Sequence, residues 1–221
     1  MIKKIKIHED YRKRIPKEEY EFDKRLNLLY GCNGIGKSSL LELIANNRHS
    51  TVRSKNIYES ISYYKDYMDC EPPKIAFYRV SVDSYKRANN YQNDSVLNSI
   101  ENVKDYWFAM NSSEGQAITE LFLDWLNKLN DDIDILLIDE LDSGLSAVSI
   151  YMCAHYINEW LNKHRNVQCF ISINNYEWVR LFKKIYRIDN GQYQEIKNYE
   201  EFFEITKDIH IKLYDKGDKN V

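Results

Sequence analysis

Long apolar runs are missing from this sequence. None exceeds five residues, and the most aliphatic is Ile135 to Ile138, far short of the roughly 20 apolar residues that a membrane-spanning helix needs, so direct membrane insertion is not expected. The opening Met1-Ile2-Lys3-Lys4-Ile5-Lys6-Ile7 lacks the apolar centre of a signal peptide. Cysteine is sparse. Cys32, Cys70, Cys153 and Cys169 are scattered, with no metal-ligand spacing and no framework of the secreted kind. A reducing, cytoplasmic compartment is the simpler expectation. Charge of one sign is also lacking: 31 Lys and Arg against 34 Asp and Glu leave a net charge of −3. No global cationic field argues for nucleic acid, although local patches are not excluded. Glycine (7) and proline (3) are few beside abundant Lys, Asn, Ile and Tyr. That bias is compatible with an AT-rich genome and carries no function.

What remains is an ordinary globular mixture, 43% hydrophobic and 29% charged. At 221 residues the chain can bury a sizeable core without metals or disulfides. Residues 2 to 7 alternate Ile and Lys, which predicts a half-buried strand. Residues 20 to 30 predict a strand or hairpin arm ending at Gly31. Lys37 to Asn46 predicts a buried helix. Pro72-Pro73 marks a break, followed by a short strand over Ile75 to Val80. Residues 81 to 111 are polar and resist assignment. Gln116 to Leu129 carries a helical stripe. Ile133 to Ile138 is branched and apolar except for Asp134, as in a strand buried on both faces of a parallel sheet. Ala147 to His164 predicts a helix, Val167 to Ile173 a strand and Tyr176 to Lys184 a helix. Ile185 to Ile188 and Tyr193 to Ile196 flank Asn190-Gly191 as a hairpin, with a helix near Tyr199 to Thr206. Alternating strands and helices predict an α/β domain with a largely parallel core. No repeat or linker divides it, so 1–221 reads as one domain, with a helical or irregular insertion at about 81–130.

Gly31-Cys32-Asn33-Gly34-Ile35-Gly36-Lys37-Ser38 fits G-x-x-x-x-G-K-[ST]. A phosphate needs several backbone N–H groups pointing inward, and glycines let the loop wrap without side chains in the way. The following helix aims its positive end at the phosphates. Lys37 adds a full charge, and the Ser38 hydroxyl can ligate Mg²⁺. A chance match in a turn is the bland alternative; the predicted strand before and helix after argue against it. Ser39 completes the binding set. A thiol at Cys32, beside helix N–H groups, could have a lowered pKa; a tolerated small residue is the favoured reading.

Ile135 to Ile138 is followed by Asp139-Glu140. An acid ending a buried strand can reach a magnesium shell beside the phosphate loop, so Asp139 is the candidate metal ligand with Ser38. Glu140 is the candidate base for the attacking water. Alone, the pair could be a solvated strand end. Ser112-Ser113-Glu114-Gly115-Gln116 reads by itself as a helix cap, Ser113 and Gln116 forming a capping box.

The order of these motifs resembles the ATP-binding-cassette (ABC-type) ATPases. Ser113, Gly115 and Gln116 match three positions of their L-S-G-G-Q signature, and Ser143-Gly144-Leu145-Ser146 resembles their D-loop. The closing Tyr186 to Gln192 resembles their terminal hairpin. The resemblance implies a P-loop α/β fold with N-terminal antiparallel strands, ATP and Mg²⁺ as ligands, and a head-to-tail homodimer. Ser113 and Gly115 would then contact the γ-phosphate of the other subunit's ATP. Ser112 and Glu114 depart from the signature. Asn174 stands where the family has histidine, able to hydrogen-bond the γ-phosphate but not to carry charge, so slow or switch-like hydrolysis is an open expectation. No glutamine follows Ile75 to Val80, and Gln92 lies too far along.

The phrase Asp139 to Leu145 is closest in style to the SMC/Rad50/RecF-like branch, without a coiled coil. That implies DNA-related or defence/repair work with a protein partner such as an effector nuclease or toxin. The alternatives are the nucleotide-binding subunit of a membrane transporter, paired with a transmembrane chain, and a slow nucleotide-gated switch or scaffold. Basic clusters (Lys3, Lys4, Lys6; Arg12, Lys13, Arg14, Lys17; Lys183, Lys184, Arg187) are commonly solvated faces. Tyr63, Tyr64, Lys65, Tyr67 and Tyr85, Lys86, Arg87, Tyr91 interleave aromatic and basic residues as single-strand binders do. Nucleic acid therefore stays an open partner.

Overall fold

The computed structural model describes residues 1–7, 19–46, 61–63, 73–80 and 114–217. Ser112, Ser113, Gln92, Cys70, the basic run Arg12 to Lys17, residues 64–67 and most of the expected 81–130 insertion lie outside the described residues.

The elements are β1 (Lys4–Ile7), β2 (Glu19–Glu21), β3 (Leu26–Tyr30), α1 (Lys37–Asn46), β4 (Ile61–Tyr63) and β5 (Ile75–Arg79), followed by α2 (Glu114–Asn127), β6 (Ile135–Asp139), α3 (Ala147–Lys163) and β7 (Gln168–Ile173). The chain closes with α4 (Glu177–Phe182), β8 (Lys184–Arg187), β9 (Gln192–Glu195) and α5 (Tyr199–Gly217). The main sheet has the order β5-β6-β7-β3-β8-β9 and is parallel except for β9. A small antiparallel sheet, β2-β1-β4, accompanies it. This is the expected α/β fold with a mostly parallel core and N-terminal antiparallel strands.

Burial explains the central strands. Every residue of β6 and β7 is buried, and burying one Leu or Ile side chain contributes roughly 1.5–3 kcal/mol. The two polar residues of β7 are satisfied where they sit. Gln168 exchanges hydrogen bonds with the Ile2 backbone, and Ser172 faces the acidic end of β6. Helix α3 starts at Ser146, whose Oγ accepts from the Ser149 N–H at 3.2 Å, an N-cap.

Three differences from expectation have physical causes. Residues 20 to 30 split between two sheets, because the polar stretch Asp23-Lys24-Arg25 lets the chain leave β2 before β3 begins. Helix α5 runs to Gly217 because Phe202, Ile205 and Ile209 keep an apolar stripe on the core. Strand β4, unexpected from three residues, exists through its pairing with β1.

Candidate functional site

In the sheet, β7 lies between β6 and β3. The phosphate-type loop leaves the C-terminal end of β3, and the acidic pair ends β6. The intervening β7 carries Ser172 and delivers Asn174 and Asn175 just past its end. Such a convergence at the carboxyl ends of parallel strands is where open α/β sheets bind ligands.

The loop needs its glycines. Gly34 and Gly36 have φ of +84° and +105°, a region that side chains disfavour. A Cβ on Gly31 would stand 2.7 Å from Ile35 Cγ2. Ile35 anchors the loop from inside: its side chain is buried and its N–H donates to the Cys32 carbonyl at 3.2 Å. Asn33 and Gly34 form the exposed crest. Helix α1 then opens directly with Lys37.

Lys37 is buried, and its Nζ donates to the Gly31 carbonyl at 2.6 Å and the Cys32 carbonyl at 3.4 Å. Burial lowers its pKa, opposed by the negative charges of Asp142, Glu140 and Asp139. Cys32 moves the other way from the reactive alternative: burial raises its thiol pKa, which leaves it the tolerated small residue.

The Ser38 hydroxyl donates to Asp139 Oδ1 at 3.0 Å, joining residues 101 positions apart. Asp139 is almost fully buried and held on both oxygens. Ser172 Oγ also donates to Oδ1, at 2.7 Å. Arg79 Nε donates to Oδ2 at 3.1 Å, while its Nη1 lies 2.9 Å from Glu42 of α1. Glu140 follows with φ +55°, the left-handed region, and its N–H donates to Ser172 Oγ at 2.8 Å. Asp142 is a second buried acid. It accepts the N–H groups of Asn174 at 2.6 Å and Asn175 at 2.9 Å, and Asn174 Nδ2 lies 3.5 Å from its other oxygen. Burial raises the Asp142 pKa against the pull of those donors.

These groups surround a cavity of about 540 Å³, inside the ~300–1,000 Å³ range of small-ligand sites. Of the residues expected from the sequence, Asn33, Gly34, Gly36, Lys37, Ser38, Ser39, Glu140 and Asn174 line it. Asp139 lies behind Ser38. Sequence reading missed Asp142 and Asn175 on the lining, and Arg79 and Ser172 behind it. Gly115 and Gln116, in the first turn of α2, do not line this cavity. A Cβ on Gly115 would meet the Gly144 carbonyl at 3.2 Å, so the start of α2 packs on the segment that follows the acidic pair.

Among the described residues, no three His, Cys, Asp or Glu side chains are placed to hold a metal ion. The donor set does fit one cation that also takes ligand oxygens. With its proton on Asp139, the Ser38 hydroxyl keeps lone pairs to offer, beside a carboxylate.

No protein-family model matches the chain, and no curated protein sequence matches it. Solved structures do. The nucleotide-free ATP-binding cassette from an ABC transporter is 16% identical with a TM-score of 0.51, over 95% of this chain and 98% of that one. Stu0660 of Streptococcus thermophilus is 11% identical with a TM-score of 0.52, over 91% of this chain and 78% of that one. At such identities the likeness is one of fold: the chain has the α/β architecture of an ATP-binding cassette. Among the described residues no helix is long and apolar enough to cross a membrane.

Proposed function

We propose that this chain is an ABC-type ATPase that binds ATP with Mg²⁺ on the loop Gly31 to Ser38 and hydrolyses it. The observation carrying this reading is the 3.0 Å bond from Ser38 to Asp139. The last residue of the phosphate motif lines the cavity with Gly34, Gly36 and Lys37, and behind it meets an acid from a distant strand. Backbone N–H groups of the loop and of the first turn of α1 hold the triphosphate. Lys37 turns from the loop carbonyls toward phosphate oxygens, exchanging neutral acceptors for charged ones. Ser38 and Asp139 hold Mg²⁺, which when bound offsets the charge that develops during phosphoryl transfer. Glu140, on the cavity wall, orients and deprotonates the attacking water. Asn174 adds an uncharged hydrogen-bonding group.

A second copy completes the site with Ser113, Gly115 and Gln116, the last two in the first turn of its α2. That Gly115 does not line its own chain's cavity supports this arrangement. The dimer is a symmetric head-to-tail pair with two shared sites. Its turnover drives or gates a partner in DNA-related or defence/repair activity, a reading supported by the Asp139 to Leu145 phrase of the SMC/Rad50/RecF-like branch. Two other readings have an observation each. The fold likeness to a transporter's cassette favours a nucleotide-binding subunit with a transmembrane partner. Uncharged Asn174 favours a slow switch.

The test pairs phosphate release with oligomeric state. Wild type is expected to release phosphate from MgATP. Glu140→Gln is expected to stop release and to form a dimer that persists only with MgATP. Absent turnover in the wild type refutes the ATPase reading, and a monomeric Glu140→Gln with ATP bound refutes the shared site.

A further inference from the structure

Ser172 is a polar residue in a strand that is buried along its whole length, and it is itself 0% exposed. Its position is set by the sheet. β7 lies beside β6, with Ile138 paired to Ile171, so Ser172 falls next to the strand end where Asp139 and Glu140 emerge. Its hydroxyl touches both: Oγ lies 2.7 Å from Asp139 Oδ1 and 2.8 Å from the Glu140 nitrogen.

The direction of these bonds is forced. A backbone N–H can only donate, and an ionised carboxylate can only accept. Ser172 therefore accepts from Glu140 and sends its single proton to Asp139. The hydroxyl has no free rotor, and one atom fixes two things at once. It sets the orientation of the Asp139 carboxylate that Ser38 also contacts. It also holds the backbone of Glu140 in the left-handed conformation that its φ of +55° records, placing that side chain on the cavity wall.

From this we infer that Ser172 is a positioning residue that locks the metal-binding carboxylate and the general base into one unit. The inference rests on the ATPase reading above and deepens it. Ser172 lies behind the acids, does not line the cavity, and leaves nucleotide binding to Gly31 through Ser38. Its loss is felt in metal dependence and in the chemical step.

The experiment uses the full chain with Ser172→Ala, Ser172→Cys and Ser172→Thr. Thermal melting first identifies which variants are folded. Ser172→Cys keeps nearly the same volume with a weak donor, and it replaces Ser172→Ala should that variant not fold. Three quantities are then compared with wild type: affinity for a fluorescent ATP analogue in EDTA, the Mg²⁺ concentration giving half-maximal response, and kcat against KM. For the folded variant without a strong hydroxyl, affinity in EDTA is expected within twofold of wild type. Half-saturating Mg²⁺ is expected to rise about tenfold, and kcat to fall at least tenfold with KM nearly unchanged. Ser172→Thr, which keeps the hydroxyl, is expected to recover kcat to within threefold. Wild-type kcat and Mg²⁺ dependence in the hydroxyl-free variant overturn the inference and leave the ATPase reading intact. Equal loss in a folded Ser172→Thr, or lost binding in EDTA, also overturns it. A wild-type chain that binds no ATP refutes the ATPase reading and the inference with it.

Discussion

Glu140 stands in the left-handed region with φ +55°, a conformation that costs an L-residue with a Cβ roughly 1–2 kcal/mol. Replacing it by glycine removes that cost. It adds back about 0.5–1 kcal/mol, because glycine gains more freedom in the unfolded chain. The difference runs from zero to about 1.5 kcal/mol, so Glu140→Gly should be equal to, or up to about 1.5 kcal/mol more stable than, a change to any other neutral residue at that position. The proper reference is Glu140→Gln, which removes the same charge but keeps the Cβ. A control pair at Glu159, in the body of α3, lacks left-handed backbone, and there glycine should cost about 1 kcal/mol relative to glutamine. Urea unfolding with linear extrapolation reads both differences. A chain of this size moves about 2–4 °C in Tm per kcal/mol, so melting gives a second reading. At 140 glycine is expected to equal or exceed glutamine, and at 159 to fall below it. If glycine costs as much at 140 as at 159, the backbone there carries no strain and the argument fails. Both variants at 140 should lack phosphate release, so the gain in stability comes with loss of activity.

Ser38→Ala is expected to leave ATP affinity in EDTA within threefold while abolishing its enhancement by Mg²⁺, read by a fluorescent nucleotide titration. Burial raises the Asp142 pKa in the fold above 3.8. The native state therefore holds that proton more tightly than the unfolded chain, and the group's contribution is fully present below pH 3.8. It is lost as pH rises through the raised value, so the stability of wild type relative to Asp142→Asn should fall with pH just above 3.8. Gly36→Ala, at φ +105°, should lose both about 1–2 kcal/mol of stability and ATP binding, measured by unfolding and titration on one preparation.

What could be read from the sequence followed the distance over which each cause acts. Gly31 to Ser38 is legible because a turn, a helix start and a charge all lie within eight residues. The strand Ile135 to Ile138 is legible because burial on both faces leaves an unbroken apolar run. Ser172, Arg79 and Asp142 were not, since their roles arise from partners across the sheet: Ser172 reaches Asp139, Arg79 joins Asp139 to Glu42, and Asp142 holds Asn174 and Asn175. A serine inside an otherwise apolar strand was the one available signal for the first, because a buried hydroxyl requires partners. For Arg79 the signal was a charge closing the short strand before the acidic one. Helix α5 was underestimated because its polar face hides the spacing of Phe202, Ile205 and Ile209.

Lys37 bears most directly on the central claim, since its ammonium is buried on the Gly31 carbonyl at the mouth of the cavity. Titrating wild type and a folded Lys37→Ala with ATP in the presence of Mg²⁺, by calorimetry, gives the decisive comparison. Wild type is expected to bind one ATP per chain, and Lys37→Ala to lose at least a hundredfold in affinity, about 2.7 kcal/mol. Tight binding retained by Lys37→Ala would contradict the assignment of Gly31 to Ser38 as the triphosphate loop.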